Sequence, residues 1–254
     1  MKKTLQKDGR TLAYSIHGQG SEDLVLVHGW MVSGAVFDSL LPHLDAARFR
    51  VIVPDHRGAG DSTSCDSYSL QDYVADLDAI VADAGAASFN LLGHSMGGQI
   101  AQLYAATYPA KVKKLALVNT VPASGMQLPP EAHELFINAG EKREMLGAIL
   151  GMATLDLPEG ALEKMLDDAE KIPADCISKA YTSWTGGGIE GCLEKIQATT
   201  LVVGSDDPFL PHDFLKAAVV EPIADASFAV VAGAGHYPQV ERSAELGKVL
   251  NGFF

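Results

Sequence analysis

Short apolar runs punctuate the chain, separated by longer stretches with helical spacing. Residues 24–27, 51–53, 89–92, 115–118, 201–203 and 228–231 each read as a strand. Most of these runs lack polar alternation, as expected of parallel strands covered on both faces. Residues 11–16 alternate better and predict one arm of an antiparallel opening hairpin that turns near Asp8-Gly9. Between strands, Leu70, Tyr73, Val74, Leu77, Ile80 and Val81 recur at helical spacing. Ser69 with Asp72 reads as a capping pair at the start of that helix, and Gly85 as its stop. Residues 36–44, 96–108 and 244–254 read as further helices. The alternation predicts an α/β fold, a mostly parallel β-sheet flanked by helices.

One stretch breaks the rhythm. Residues 121–190 show helical patterns and no convincing strand, with 12 acidic residues against 5 basic ones. Prolines at 122, 129, 130 and 158 punctuate it, and Gly186-Gly187-Gly188 near its end reads as a hinge. The expectation is a core formed by residues 1–120 and 191–254, with a helical insertion over 121–190 after the sixth strand.

Composition narrows the partners. A net charge of −13, with no basic run longer than Lys2-Lys3 or Lys113-Lys114, argues against nucleic acid and anionic membrane surfaces. Three widely spaced cysteines, Cys65, Cys176 and Cys192, do not suggest a disulfide framework. The polar stretch after Lys2-Lys3 lacks the apolar segment of a signal peptide, and no apolar run is long enough to span a bilayer. These features lead to the expectation of a soluble, cytoplasmic protein with a small-molecule substrate. No phosphate-loop or H-E-x-x-H motif is present, so neither a nucleotide cofactor nor a metal is expected.

The strongest chemical signal is Gly93-His94-Ser95-Met96-Gly97-Gly98, a G-x-S-x-G directly after a buried strand and before a helix. A nucleophile on such a turn has a strained backbone, and flanking glycines let strand and helix approach. The helix N-terminus aims free N–H groups at a developing oxyanion. Ser95 needs a base, and His236, in Gly235-His236-Tyr237 just past the last strand, is placed to supply one. His17, His43, His133 and His212 read as surface or packed residues. A carboxylate must orient the base. Asp206 and Asp207 both follow the run at 201–203, and spacing alone does not choose between them. His28-Gly29-Trp30 follows the run at 24–27, where the glycine lets the backbone approach the nucleophile. The Trp30 and Met96 N–H groups are then the candidate oxyanion donors.

Taken in order, His28-Gly29, the segment from Asp55 to Ser62, Gly93 to Gly98, Gly204-Ser205-Asp206-Asp207 and Gly235-His236 resemble the signatures of the α/β-hydrolase superfamily. The resemblance implies a triad of Ser95, His236 and Asp207, because the acid there usually follows glycine by three positions. It also implies that the Asp55 to Ser62 loop braces the site and that 121–190 is a cap. Where some relatives place the acid after the sixth strand, this chain has Asn119. Ser95 speaks against the aspartate-dependent haloalkane and epoxide branches. Meta-cleavage C–C hydrolases often carry Asn where this chain has His94, and their cap usually supplies an arginine. Arg143 is the only arginine available here. Perhydrolase-like relatives share the G-x-S-M-G-G and His-Gly-Trp segments but usually lack a long cap.

The implied activity is hydrolysis of a small, largely apolar carboxylic ester or lactone through an acyl-enzyme on Ser95. C–C bond hydrolysis or enol-lactone hydrolysis of a ring-cleavage product is one rival. A small-molecule sensor that retains the triad is another. Candidate pocket residues are Phe136, Met145, Tyr181 and Trp184 in the insertion, with Phe209 and Tyr237 beside the triad; Met126, Ile149 and Met152 belong to the same apolar set.

Overall fold

A computed structural model describes all of residues 1–254. Eight strands form one sheet: β1 (Lys2–Lys7), β2 (Arg10–His17), β3 (Glu22–Val27), β4 (Phe49–Pro54), β5 (Phe89–His94), β6 (Val112–Val118), β7 (Thr199–Ser205) and β8 (Ala226–Val231). Their spatial order is β1-β2-β4-β3-β5-β6-β7-β8. The opening hairpin turns at Asp8-Gly9, and β1–β2 and β2–β4 pair antiparallel. All other neighbours run parallel, so the unbroken apolar runs lie in the covered middle of the sheet.

Helices α1 (Leu70–Asp83) and α2 (Met96–Thr107) flank the sheet. A capping box starts α1: Ser69 Oγ accepts from the Asp72 N–H, and the Asp72 carboxylate accepts from the Ser69 N–H. The helix expected over 36–44 is instead two 3₁₀ turns, Gly34–Phe37 and Leu41–His43. Pro42 opens the second turn without an N–H to donate, which denies a continuous α-helix its ladder.

Between β6 and β7 run four α-helices, a 3₁₀ turn (Glu190–Lys195) and no strand; the α-helices are α3 (Pro130–Ile137), α4 (Arg143–Ala153), α5 (Ala161–Ala169) and α6 (Ala174–Gly186). They lie over the loops at the C-terminal ends of the central strands. Trp30, after β3, stacks on Phe136 of α3 and donates its indole N–H to the Ile177 carbonyl of α6. The incoming and outgoing legs cross where a Cβ on Gly187 would lie 2.1 Å from the Ser124 backbone, and one on Gly125 would lie 2.2 Å from the Thr185 carbonyl oxygen. Both glycines also have positive φ. The triple glycine read as a hinge thus serves a backbone crossing. Short α7 (His212–Leu215) and α8 (Pro238–Glu241) and the terminal α9 (Ser243–Phe253) complete the chain. No helix is long and apolar enough to cross a membrane.

The loop after β4 is held by a buried ion pair. Arg57 donates Nε–H to Asp76 of α1 at 2.7 Å, with both side chains almost fully buried. The guanidinium also donates to the Ser67 and Asp72 carbonyls. Asp76 in turn receives Lys7 and Arg10 from the hairpin. Removing one partner of such a pair strands the other charge inside the fold. Asp76→Asn is therefore expected to lower the unfolding free energy by about 3 kcal/mol in urea titrations.

Candidate active site

Ser95 joins β5 to α2 at φ 55° and ψ −123°, a region that side chains larger than glycine avoid. Crowding explains the flanking glycines. A Cβ on Gly97 would lie 2.3 Å from the Val27 and His28 carbonyl oxygens, and one on Gly93 2.3 Å from the Gly97 carbonyl oxygen.

The Ser95 Oγ lies 2.9 Å from His236 Nε2, and His236 Nδ1 lies 2.6 Å from Asp207 Oδ2. A carboxylate at Nδ1 fixes the tautomer: Nδ1–H donates to Asp207, leaving the Nε2 lone pair to accept from the Ser95 hydroxyl. The Asp207 side chain is wholly buried and its other oxygen accepts from the Phe209 N–H. Asp206 points elsewhere, accepting from the Gly233 N–H at 2.7 Å. The geometry thus separates the two aspartates.

A Cβ on Gly29 would stand 3.0 Å from the Ser95 Cβ, so the Gly29-Trp30 backbone lies against Ser95. The Trp30 and Met96 N–H groups donate to no other group in the protein, which leaves both available. Two histidines stiffen this strand end. His56 donates its backbone N–H to His28 Nε2 and its Nε2–H to the His28 carbonyl, while His28 Nδ1–H donates to the Gly29 carbonyl. Burial pushes His28 well below the ordinary histidine value and His56 down to about 4.

The loop that carries His236 is fastened by residues whose part the sequence did not disclose. The His236 carbonyl accepts from His94 Nε2 and from Asn119 Nδ2. Asn119 also donates to the Gly235 carbonyl and accepts from the Ser205 N–H. Burial, and secondarily His236, pushes His94 well below the ordinary value, so the ring is neutral with its one proton on the Nε2 that faces the carbonyl. Position offered a clue in both cases, since His94 precedes Ser95 and Asn119 directly follows β6.

A cavity of about 40 Å³ adjoins Ser95 and His236. Phe136, Trp184, Phe209 and Tyr237 line it, together with Ile149 and Ala153 of α4. Met145 and Tyr181 do not. Met145 is only half-buried, because the inward face of α4 is set by Leu146, Ile149, Leu150 and Ala153. Tyr181 packs behind the wall against Trp30 and Trp184, its hydroxyl 2.9 Å from His133 Nδ1. Met152 is exposed. A larger open depression of about 630 Å³ lies beside the opening hairpin, is lined by mixed charges, and does not include Ser95.

A nucleophile turn at the end of a central strand, within a parallel sheet wrapped by helices, is the architecture of the α/β-fold hydrolases. The family description "alpha/beta hydrolase fold" matches residues 24–243, and the chain belongs to this family of hydrolases. It is 28% identical to a 2-hydroxy-6-oxononadienedioate/2-hydroxy-6-oxononatrienedioate hydrolase from Paraburkholderia phymatum, over 94% of this chain and 89% of the relative. Among solved structures, it superposes on a bromoperoxidase from Bacillus anthracis with a TM-score of 0.92 and 22% identity, covering 100% of this chain and 99% of that one. An esterase from Exiguobacterium antarcticum gives a TM-score of 0.92 at 20% identity, with coverage of 100% and 99%. These likenesses in structure establish the fold alone.

Two outcomes follow from the geometry. Asp207→Asn should lower kcat by about 10⁴-fold through the wrong tautomer, while Asp206→Asn leaves kcat within about twofold, measured on any turned-over ester. The second concerns acid. His28 and His56 are neutral when folded and protonate more readily when unfolded, so the unfolded chain binds more protons as pH falls below 6.5. Stability should therefore drop between pH 6.5 and 4, with His56 alone contributing on the order of 3 kcal/mol, as read from urea titrations across that window.

Proposed function

We propose that the chain hydrolyses small, neutral, largely apolar carboxylic esters or lactones through an acyl-enzyme on Ser95. The observation that carries this reading is the wall of the cavity at Ser95. It is aromatic and aliphatic, and it presents no lysine or arginine. A substrate carboxylate buried there would lack a partner, at a cost of several kcal/mol. Arg143, the only arginine of the insertion, is engaged by Glu163, Asp167 and Glu170 at the surface and does not line the cavity.

In this reading Ser95 Oγ attacks the acyl carbon while His236 Nε2 takes its proton, and Asp207 stabilises the imidazolium. The Trp30 and Met96 N–H groups hold the oxyanion, each donor being worth ~2.7–4 kcal/mol. His236 then protonates the leaving oxygen, and water attacks the acyl-enzyme by the reverse proton traffic. Residues 121–190 act as a cap that excludes bulk water and shapes the acyl pocket. The name of the Paraburkholderia relative specifies a dioate. The uncharged wall here favours a neutral substrate over that chemistry.

The test compares kcat/KM for p-nitrophenyl esters and neutral lactones with that for a meta-cleavage dienone acid. Neutral substrates should lead by about 100-fold or more, and Arg143→Ala should leave the ranking unchanged. A dienone advantage that Arg143→Ala abolishes would replace this reading with C–C bond hydrolysis.

A further inference from the structure

Glu241, the last residue of α8, takes no part in the chemistry above, yet its carboxylate is buried at a junction. One oxygen, Oε1, accepts from the Gly235 N–H at 3.0 Å and from the Tyr237 N–H at 3.3 Å, the residues on either side of His236. The other, Oε2, accepts from the Leu155 N–H at 2.7 Å and the Asp156 N–H at 2.9 Å, in the loop after α4. A single carboxylate thus fastens the histidine loop to the helical insertion. Two further links join the same segments. The His236 N–H donates to the Ala153 carbonyl, and Arg242 pairs with Asp156 at 2.8 Å.

The cavity gives this junction a consequence. At about 40 Å³ it is smaller than substrate pockets, which commonly measure ~300–1,000 Å³. Displacing part of the wall enlarges it for an ester. The C-terminal end of α4 supplies Ile149 and Ala153 to that wall and leads directly into the two amides held by Glu241. Lifting this end withdraws the amides from Oε2 and the Ala153 carbonyl from His236. It leaves a buried carboxylate half-satisfied, and such a group reorganises because an unpaired charge is costly.

We propose that Glu241 is a positioning residue that couples seating of α4 over the cavity to placement of His236. With α4 seated, all four amides converge on the carboxylate and the imidazole is held between Ser95 and Asp207. With α4 lifted, the histidine loop loses its restraint. Acid–base competence is thereby tied to a covered, dry site. The proposal rests on the reading of His236 as the base.

The experiment uses the full chain with Glu241→Gln, whose amide nitrogen cannot accept from the pair of N–H groups facing it. Amide hydrogen exchange is read at Leu155, Asp156, Gly235 and Tyr237, alongside kcat and KM for p-nitrophenyl butyrate and the Tm. Coupling predicts exchange about tenfold faster in both loops and kcat lower by about tenfold with KM little changed, in line with the loss of charge-assisted hydrogen bonds. Arg242→Ala, which removes the flanking ion pair and a hydrogen bond to the Glu241 carbonyl but leaves the carboxylate in place, should shift both loops in the same direction by less, and it supplies the readout if Glu241→Gln does not fold. Faster exchange in one loop alone, or a lower Tm with kcat unchanged, overturns the proposal. Ser95→Ala separates the two readings: turnover surviving in that variant sinks the nucleophile assignment, while the exchange data still decide the coupling.

Discussion

The backbone of Ser95 is the constraint around which the rest of the site is arranged. A non-glycine residue at φ 55° carries a cost on the order of 1–3 kcal/mol, so it persists only where its surroundings permit nothing else. The Ser95 N–H donates to the Val118 carbonyl of β6, and its carbonyl accepts from the Gly98 and Val121 N–H groups. Those bonds tie the turn to the adjacent strand and to the first residues after it. The turn in turn brings α2 so close to β3 that Gly97 touches the Val27 and His28 carbonyls. A compact turn lifts the hydroxyl clear of the sheet and leaves the first amide of α2 without an internal partner.

The same crowding sets the direction from which the other groups arrive. His28 and Gly29 leave β3 beside the turn, locked by exchange of hydrogen bonds with His56. From the opposite side, β7 and β8 deliver Asp207 and the loop of His236, and Asn119 and Ser205 stitch that loop to the ends of β6 and β7. Most of these restraints are bonds from side chains to main chain. They hold a loop in place without using up the polar atoms that face the substrate. The electrostatics agree: burial keeps three histidines neutral, so none sets a positive charge beside the pair of His236 and Asp207.

Much of this was legible in the chain because local features encode it. Apolar runs marked the strands, and glycines bracketing a serine marked a turn that needs them. The resemblance of Gly204 to Asp207 to a known spacing chose the aspartate that meets His236. What was not legible depends on long-range partners. Glu241 and Asn119 act through amides and carbonyls distant in sequence, and such bonds leave no periodic trace. Pro42 turned an apolar periodicity at 36–44 into two 3₁₀ turns. Met145 and Tyr181 lie on the expected helices, but which turn of a helix faces a cavity is decided by how helices pack on one another.

The crossing of the insertion's legs at Gly125 and Gly187 has a consequence for grafting. The two strands of backbone touch before the helices begin and after they end, so the sheet senses a closed loop whose base is fixed by two glycines. A helical segment joined between those positions would start and end at that same close approach. What the donor must reproduce is the inner face: carbonyls for the Trp30 indole, the Gln99 amide and the His236 N–H, a carboxylate for the Ser33 N–H, and the two amides that meet Glu241. Exchange at this base would therefore replace the outward face of the insertion, while the face turned to the sheet has to be carried over with it.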